Sequence, residues 1–506
     1  MPILDEVRIT ELPGADPLAG PELIPLVQSG VTKSRSAQNL VLDGGLQDHL
    51  DAADPHTQYL KESEYEAHRS REDLLKQATL SLDFANNKYE VYEGPVDGLT
   101  QMPFNTALDF TRGSGATAQT AIGTIQEVLT DEQRLVGNRE GLLIEEARTN
   151  VITRSQPTVA DNYWQALTDT TLSDVTLAGL PALRVTRDTG TGGLQALITN
   201  TQGNPNNVCF RTMIVRVSDP ANQHLKLRIS GGSGYSYFIN NDSFHITFDL
   251  SSKTVVYAGS KAGTAEIKEL SAGVFKLTLN QTYSSSQPLA AAGWSFRLSD
   301  QSDASDYNTS QVPQGSWFEF TACQREELVG FPTSYIPTAG TQVTRTQDLL
   351  NRSLGAEFNV TEGTVFFRCT VPGNNADRAA QIFAISDGSD TNRILLLANV
   401  NTDYLTAFII GASGTVATVT FDATGLQRQT ADIAVGFSAA GVSIAVNGSV
   451  VTGAANANAF PVGLDQVSIG AKGDNSNTVV SSLYEDFRIF PTVLSDAELI
   501  TLTGGT

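Results

Sequence analysis

Apolar and polar residues alternate along VCFRTMIVRV (Val208 to Val217), HLKLRIS, YSYFI, FHITFDL, VFKLTLN and WSFRLS. A period of two is the mark of half-buried strands. The turn clusters DPAN, GGSG, NND and SAG separate these runs at spacings of about ten residues, the rhythm of a sandwich or jelly roll. The pattern predicts one such domain over residues 151–340. A second series predicts another over residues 341–506: GTVFFRCTV, AQIFAIS, RILLLANV, LTAFII, TVATVTFD, DIAVGFS, GVSIAVNG, QVSIGA and YEDFRIF. Its tail, LSDAELITLTG, predicts a short helix with Ser495 as N-cap and Glu498 closing a capping box.

The chain ahead of these domains is patterned differently. Residues 1–43 set short apolar runs, ELIPLVQ and NLVL, between glycines and prolines, which predicts strands and turns in a unit too small to stand alone. Residues 44–82 are densely charged. A seven-residue spacing links Leu46, Ala53, Leu60, Ala67 and Leu74, one position of a heptad. The other seam position carries Leu50, Thr57, Glu64, Arg71 and Ala78, and Pro55 interrupts the run. A short, broken helical stalk associating with copies of itself follows from this. Residues 83–150 read as a β-rich linker or shaft with one helix-like patch from Ile125 to Val136. The expected class is therefore mainly all-β: an N-terminal segment, a helical and β shaft, and two β-sandwich domains.

Composition narrows the function. Of 506 residues 17% are charged, 43 are glycine, and the formal net charge is -22. That acidity argues against nucleic acid or an anionic membrane as partner. No apolar run approaches the roughly 18 residues that span a bilayer. The start MPILDEVRITELPG has neither the basic nor the apolar region of a secretory signal, so synthesis in a cytoplasm is expected. Cys209, Cys323 and Cys369 are odd in number and far apart, which predicts buried small hydrophobes.

His49 and His56, in DHLDAADPHTQYL, lack close ligand spacing and flank Pro55, so architecture is expected there over metal. The acidic pairs Glu145/Glu146, Glu326/Glu327 and Glu485/Asp486 are the material for glycan hydrolysis. Glu145 and Glu146 have Arg148 as a structural partner. Glu485 and Asp486 are strand neighbours, expected on opposite faces. No G-x-S-x-G elbow or phosphate loop is present, and no catalytic residue is assigned. Asp300, Asp303 and Asp306 offer oxygen ligands for Ca²⁺, the one cofactor considered. Glycan recognition needs exposed aromatics and amide or carboxylate side chains. Tyr307 in the first sandwich, and Asp387, Asn392, Tyr404 and Asp474 in loops of the second, are the candidates. Trp294 and Trp317 fall in strand patterns and are expected in the core.

Several segments taken in order resemble a known family. ITELPGADPLAGPELIPLVQSGVTK resembles the segment of bacteriophage tail fibres and tailspikes that joins fibre to tail. DHLDAADPHTQYL resembles a motif of phage fibre shafts, and DFTRGSGATA with GLLIEEARTN resembles a linker ahead of β-sandwich modules. NYW, FDL and FPTSYIPTAGTQVTRTQD resemble parts of a carbohydrate-binding-like jelly roll, although GVFK (Gly273 to Lys276) stands where such domains often carry Gly-Trp-Tyr-Arg. VSIGAKGDNSN and YEDFRIFPTVLSDAELITL resemble a concanavalin A-like (laminin G type) sandwich. The resemblance implies a virion protein: a homotrimeric tail fibre docked to tail or baseplate through residues 1–43. It would hold the virion to a host surface glycan without catalysis. A tailspike depolymerase, or a structural fibre positioning a separate tip, are the alternatives.

Overall fold

The computed structural model describes residues 23–28, 31–36 and 70–504. Within the last range it leaves out positions 97, 138–139, 162, 167–169, 189–193, 199–207, 232–244, 260–263, 283–291, 301–311, 328–331, 373–378, 400–401 and 472–480. The chain divides into two compact units, Met1–Ser70 and Arg71–Thr506. In the first, Leu23–Gln28 pairs antiparallel with Val31–Ser36, in keeping with the short strands expected there. The segment DHLDAADPHTQYL lies outside the described residues.

The second unit is mainly β, as the alternation demands. Its middle is a sandwich of two six-stranded sheets among the described residues. One runs Trp164–Ala166, Leu194–Ile198, Ala292–Ser299, His224–Gly231, His245–Asp249, Thr254–Ala258. The other runs Thr170–Leu177, Leu180–Arg187, Trp317–Glu327, Val208–Val217, Val274–Thr282, Thr264–Ser271. Trp164, Phe296, Phe318 and Phe320 meet between them, with Trp164 and Phe320 edge-on at 4.5 Å. All three cysteines are free and buried, as expected.

The C-terminal sandwich departs from the linear domain order. Its ten-stranded sheet runs Ser449–Ala454, Gly441–Val446, Thr430–Ser438, Glu362–Thr370, Ser482–Phe490, Leu80–Asp83, Lys88–Tyr92, Leu99–Met102. Gly141–Ile144 also pairs with Ser482–Phe490, and Leu135–Val136 lies beyond it. The facing seven-stranded sheet runs Gly414–Asp422, Tyr404–Gly411, Arg393–Ala398, Ala380–Ser386, Gln466–Ile469, Leu349–Ser353, Asp109–Thr111. Residues 83–150 are thus no separate linker or shaft. They complete this sandwich, because the apolar faces of Tyr89, Phe104, Leu142 and Ile144, with Leu80 and Leu82 just ahead of them, enter its core, each worth about 1.5–3 kcal/mol when fully buried. Two glycines permit the junction. A Cβ on Gly141 (φ 129°) would stand 2.3 Å from the Tyr484 carbonyl oxygen, and one on Gly470 (φ 72°) 2.7 Å from Ile144.

The middle domain is consequently an insertion. Arg148–Asn150 enters it beside Val343–Arg345 leaving it, and the two form a short antiparallel ladder. The helix-like patch at Ile125 to Val136 is also corrected. Ile125–Val128 is a strand paired with Ala116–Gln119, and Ile125 packs against the outer face of the inserted domain. The strand's four residues, Ile125, Gln126, Glu127 and Val128, do not alternate, so pairing with Ala116–Gln119 rather than local pattern makes them a strand.

Outside the ten-stranded sheet lies a third layer. The capping box at Ser495 and Glu498 forms as expected and starts the helix Asp496–Thr503. Its Leu499 and Leu502 cover Phe366, Ala434 and Phe490 together with Leu74 and Ala78. Leu74 and Ala78 were the last residues of the heptad seam. Residues 71–75 are helical, and both seam residues are consumed by packing within the chain.

Candidate functional site

The seven-stranded sheet has two faces of different chemistry. Phe383, Ile385, Ile394, Leu396, Ala407 and Ile409 point into the core. Alternation turns their neighbours outward. Register sets Gln381, Leu397, Thr406 and Thr420 in one outward row, and Ser468, Ala384, Leu395, Phe408 and Thr418 in the next. Thr418 and Thr420 are exposed, Leu397 and Phe408 half-buried, and Gln381, Thr406 and Ser468 buried. Thr406 Oγ1 accepts from Asn399 Nδ2 at 2.8 Å and lies 3.1 Å from Thr420 Oγ1. Gln381 Oε1 and Ser468 Oγ have no hydrogen-bond partner among the described residues. A buried polar atom left without a partner costs about 1–3 kcal/mol. Hydroxyls brought by a ligand would remove that cost. Phe408, half-buried, stands in the Ser468 row three strands away, about 14 Å, with the buried Ala384 and Leu395 between them.

The residues expected in the second sandwich do not converge. Asp387 and Asn392 share one loop, next to the Arg393 and Ile410 end of the sheet. Tyr404, 44% exposed, begins its strand opposite Asp422 at the other end. Six residues of strand separate the two ends, about 20 Å. Asp387 is also occupied: Oδ1 accepts from Ser389 N (2.9 Å) and Oγ (2.5 Å), and Oδ2 from Asn392 Nδ2 (2.8 Å). Burial opposes its ionisation, but these bonds hold the carboxyl below its ordinary range. Its role in the loop is structural; Asn392 Oδ1 is left without a partner. Asp474 and Tyr307 lie outside the described residues.

Of the calcium candidates, Asp300 is exposed beyond the strand Ala292–Ser299, while Asp303 and Asp306 lie outside the described residues. Among the described residues no group of three or more His, Cys, Asp or Glu side chains is placed to hold a metal ion.

The acidic pairs are engaged by neighbouring side chains, most of them by arginine. Glu145 sits at the insertion junction. Its Oε2 accepts from Arg134 Nη1 and Arg345 Nη1, both at 2.5 Å, and from Ser334 Oγ at 2.6 Å. Burial opposes ionisation, yet Arg345, Arg134 and the Ser334 bond outweigh it and take the carboxyl down to about 2. Asp348 joins the same cluster, accepting from Arg112 Nη1 at 3.2 Å and from Arg134. Glu146 pairs with Arg148, the partner expected from the sequence. Glu326 is held by the Thr333 hydroxyl and by Thr333 N at 2.9 Å, and burial pushes it up.

Glu485 and Asp486 correct the expectation of opposite faces. A bulge between Arg368 and Cys369 breaks the alternation there. Glu485 reaches Arg368 Nε at 2.9 Å and Asp486 reaches Arg488 Nε at 2.9 Å, two arginines on one face. Burial is the largest influence on Asp486 and, against Arg488, takes it up to about 6.

The tryptophans divide. Trp317 is half-buried on the outward face of its sheet, not in the core, because Phe318 and Phe320 hold the inward positions. The Arg184 guanidinium covers its ring at 4.3 Å and both Arg184 and Arg216 pair with Glu319. The Trp294 side chain lies outside the description.

Sequence reasoning missed Gln381, Thr406, Phe408 and Ser468. The available signal was a polar residue placed off the apolar phase of AQIFAIS and QVSIGA, but only register shows that the four share a face.

Comparison with known proteins bears on this sandwich. No curated protein matches the sequence. Among solved structures, the Ruminococcus gnavus IT-sialidase CBM40 bound to α2,3 sialyllactose is similar at 15% identity, with TM-score 0.26, over 29% of this chain and 84% of that one. A leech intramolecular trans-sialidase is similar at 17% identity and TM-score 0.26, over 31% of this chain and 26% of that one. A Caenorhabditis elegans galectin is similar at 12% identity and TM-score 0.20, over 28% of this chain and 88% of that one. These scores are too low to carry a function across. Residues 352–500 match the family described as the concanavalin A-like lectin/glucanases superfamily, so the C-terminal sandwich contains a domain of that kind.

Proposed function

We propose that this protein is a bacteriophage tail fibre, or receptor-binding protein, that attaches the virion to a host cell-surface glycan by non-catalytic binding. The observation that carries the reading is the lectin/glucanase match over residues 352–500. It falls on a sandwich whose outward rows carry the unpartnered Gln381 Oε1 and Ser468 Oγ and, two and three strands away, the half-buried Phe408. Side-chain amides and hydroxyls bond sugar hydroxyls, and an aromatic ring stacks on the sugar's C–H face. Glu145, Asp348 and Glu319 are each held by arginine, which leaves Glu326 and Asp486, both raised by burial, as the acids a depolymerase would use. Residues 1–43 dock to the tail or baseplate, and the working form is a homotrimer, which multiplies weak sugar contacts into avidity. On this reading the protein resides in the virion.

The test is the full chain on an array of host surface glycans, beside the double variant Gln381→Ala/Phe408→Ala. Saturable binding by the wild type, lost at least about tenfold in the variant, with no new reducing ends released from host polysaccharide, is expected. Binding to no glycan overturns the reading. Release of reducing ends, abolished by Asp486→Asn, would establish a depolymerase instead.

A further inference from the structure

A second groove lies outside residues 352–500, where the end strands Lys88–Tyr92 and Leu99–Met102 of the ten-stranded sheet meet the short helix Phe104–Ala107 and Gln133. It has a volume of about 680 Å³, within the range of small-ligand sites. Its apolar surface is half-buried Met102 and exposed Pro103, backed by two core aromatics. Tyr89 and Phe104 are both buried and meet edge-on at 5.4 Å. Its walls carry four carboxamides, Asn87, Gln101, Asn105 and Gln133. Asn87 is fixed at φ 54° in the turn of the hairpin Leu80–Asp83/Lys88–Tyr92, and its Oδ1 accepts from the Tyr89 hydroxyl at 3.0 Å. The side chains of Gln101, Asn105 and Gln133 make no hydrogen bond among the described residues.

The charge balance of this lining is unlike that of the chain. The whole carries 55 acidic residues and a net charge of -22, yet among the described residues no carboxylate, lysine, arginine or histidine lines the groove. The one titratable side chain is Tyr89, which burial and the nearby Asp83 push up to about 12, so it stays neutral. A cation would find no counter-charge here and an anion no cationic donor. Three unengaged carboxamides instead offer paired donors and acceptors beside an apolar surface. That combination suits a ligand with many hydroxyls, no charge and an apolar C–H face.

We infer that this groove is a second glycan-binding site, specific for uncharged oligosaccharides and separate from the outward face of the seven-stranded sheet. The inference rests on the glycan-binding reading above and adds a site and a ligand class to it. A single chain would then hold two sugar contacts on opposite sheets of one sandwich, and an oligomer more.

The experiment uses the full chain on an array of neutral and acidic oligosaccharides. Two double variants are compared with wild type: Gln101→Ala/Gln133→Ala in the groove and Gln381→Ala/Phe408→Ala on the other sheet. The expected result is a set of neutral oligosaccharides whose binding falls at least about tenfold in the groove variant and is kept by the other. Asn105→Asp, which keeps the shape of an exposed side chain but adds charge, should weaken the same set. It serves as the deciding variant if the double one unfolds. Neutral binding unchanged in the groove variants but lost in the other overturns the second site and leaves the glycan reading standing. Loss confined to acidic glycans overturns it too. Groove occupancy by an extended peptide added along Leu99–Met102, with no competition from oligosaccharide, likewise overturns it. Wild type that binds no glycan overturns both readings.

Discussion

The inserted jelly roll and the sandwich that hosts it are built from the same kind of alternating strand, yet they are assembled in opposite ways. All twelve strands of the inserted domain's two sheets come from one stretch, Trp164 to Glu327. The host sandwich gathers its strands from both sides of that stretch, so Ser482–Phe490 finds its neighbours in Leu80–Asp83 and Gly141–Ile144. The first can close its core from local sequence. The second must bring together residues about 400 apart, Leu80 and Ile489 being cross-strand partners, a loop closure whose entropy grows only slowly with length. Insertion is tolerated because entry and exit lie side by side at Asn150 and Val343.

The largest expected effect tests that difference directly. Replacing residues 151–340 by a short Gly-Ser link should leave a sandwich that still unfolds cooperatively, since the cross-strand partners Asn150 and Val343 stand about 5 Å apart. Residues 341–506 alone should not fold, having lost Leu80, Leu82, Tyr89, Phe104, Leu142 and Ile144 from the core. Thermal unfolding by circular dichroism reads both. A cooperative transition in residues 341–506 alone would mean that the upstream strands are decoration.

A smaller effect is expected where the two domains are tied together. Arg134→Ala leaves Glu145 and Asp348 buried without a main counter-charge, which costs about 3–5 kcal/mol. Urea unfolding should show the loss. If the junction is what couples the domains, the single transition should also split into two. An unchanged midpoint would show that Arg345 and Arg112 suffice.

The smallest effect separates the junction from the outer sheet by pH. Glu145, held at about 2 against an ordinary 4.5, contributes stability above pH 4.5 that is lost as pH falls toward 2. Asp486, raised to about 6 from 3.8, acts the other way. Its protonated form is favoured by the fold, so stability present below pH 3.8 is lost as pH rises through 6, by at most about 3 kcal/mol. Asp486→Asn should flatten the decline between those two pH values and leave the acid-side loss intact. A decline as steep in the variant as in wild type would remove Asp486 as its source.

Much of the fold was legible along the chain. The run Val208–Val217 is a strand with those bounds, and Ser495 caps its helix through Glu498. Both follow from local rules, alternation and capping, that need no partner segment. The acids were legible in part: Arg148 was the evident partner of Glu146, while the bulge beside Arg368 that turns Glu485 and Asp486 toward one face has no sequence mark. The candidate site residues were legible least. Asp387 and Asn392 looked free and are tied to one another, whereas Gln381 and Ser468 looked like core strand and lack partners.

By itself the sequence determined that the chain is all-β, where most strands of the two sandwiches run, and how the last helix starts. Those properties are set within about ten residues by side-chain periodicity and capping. Only the tertiary structure decided that residues 83–150 belong to the last domain, that the jelly roll interrupts it, and which polar residues share a face. Pairing between distant strands depends on complementary apolar surfaces and on glycines, such as Gly141 and Gly470, that admit a neighbour closely. Such complementarity belongs to two segments at once and is written in neither alone.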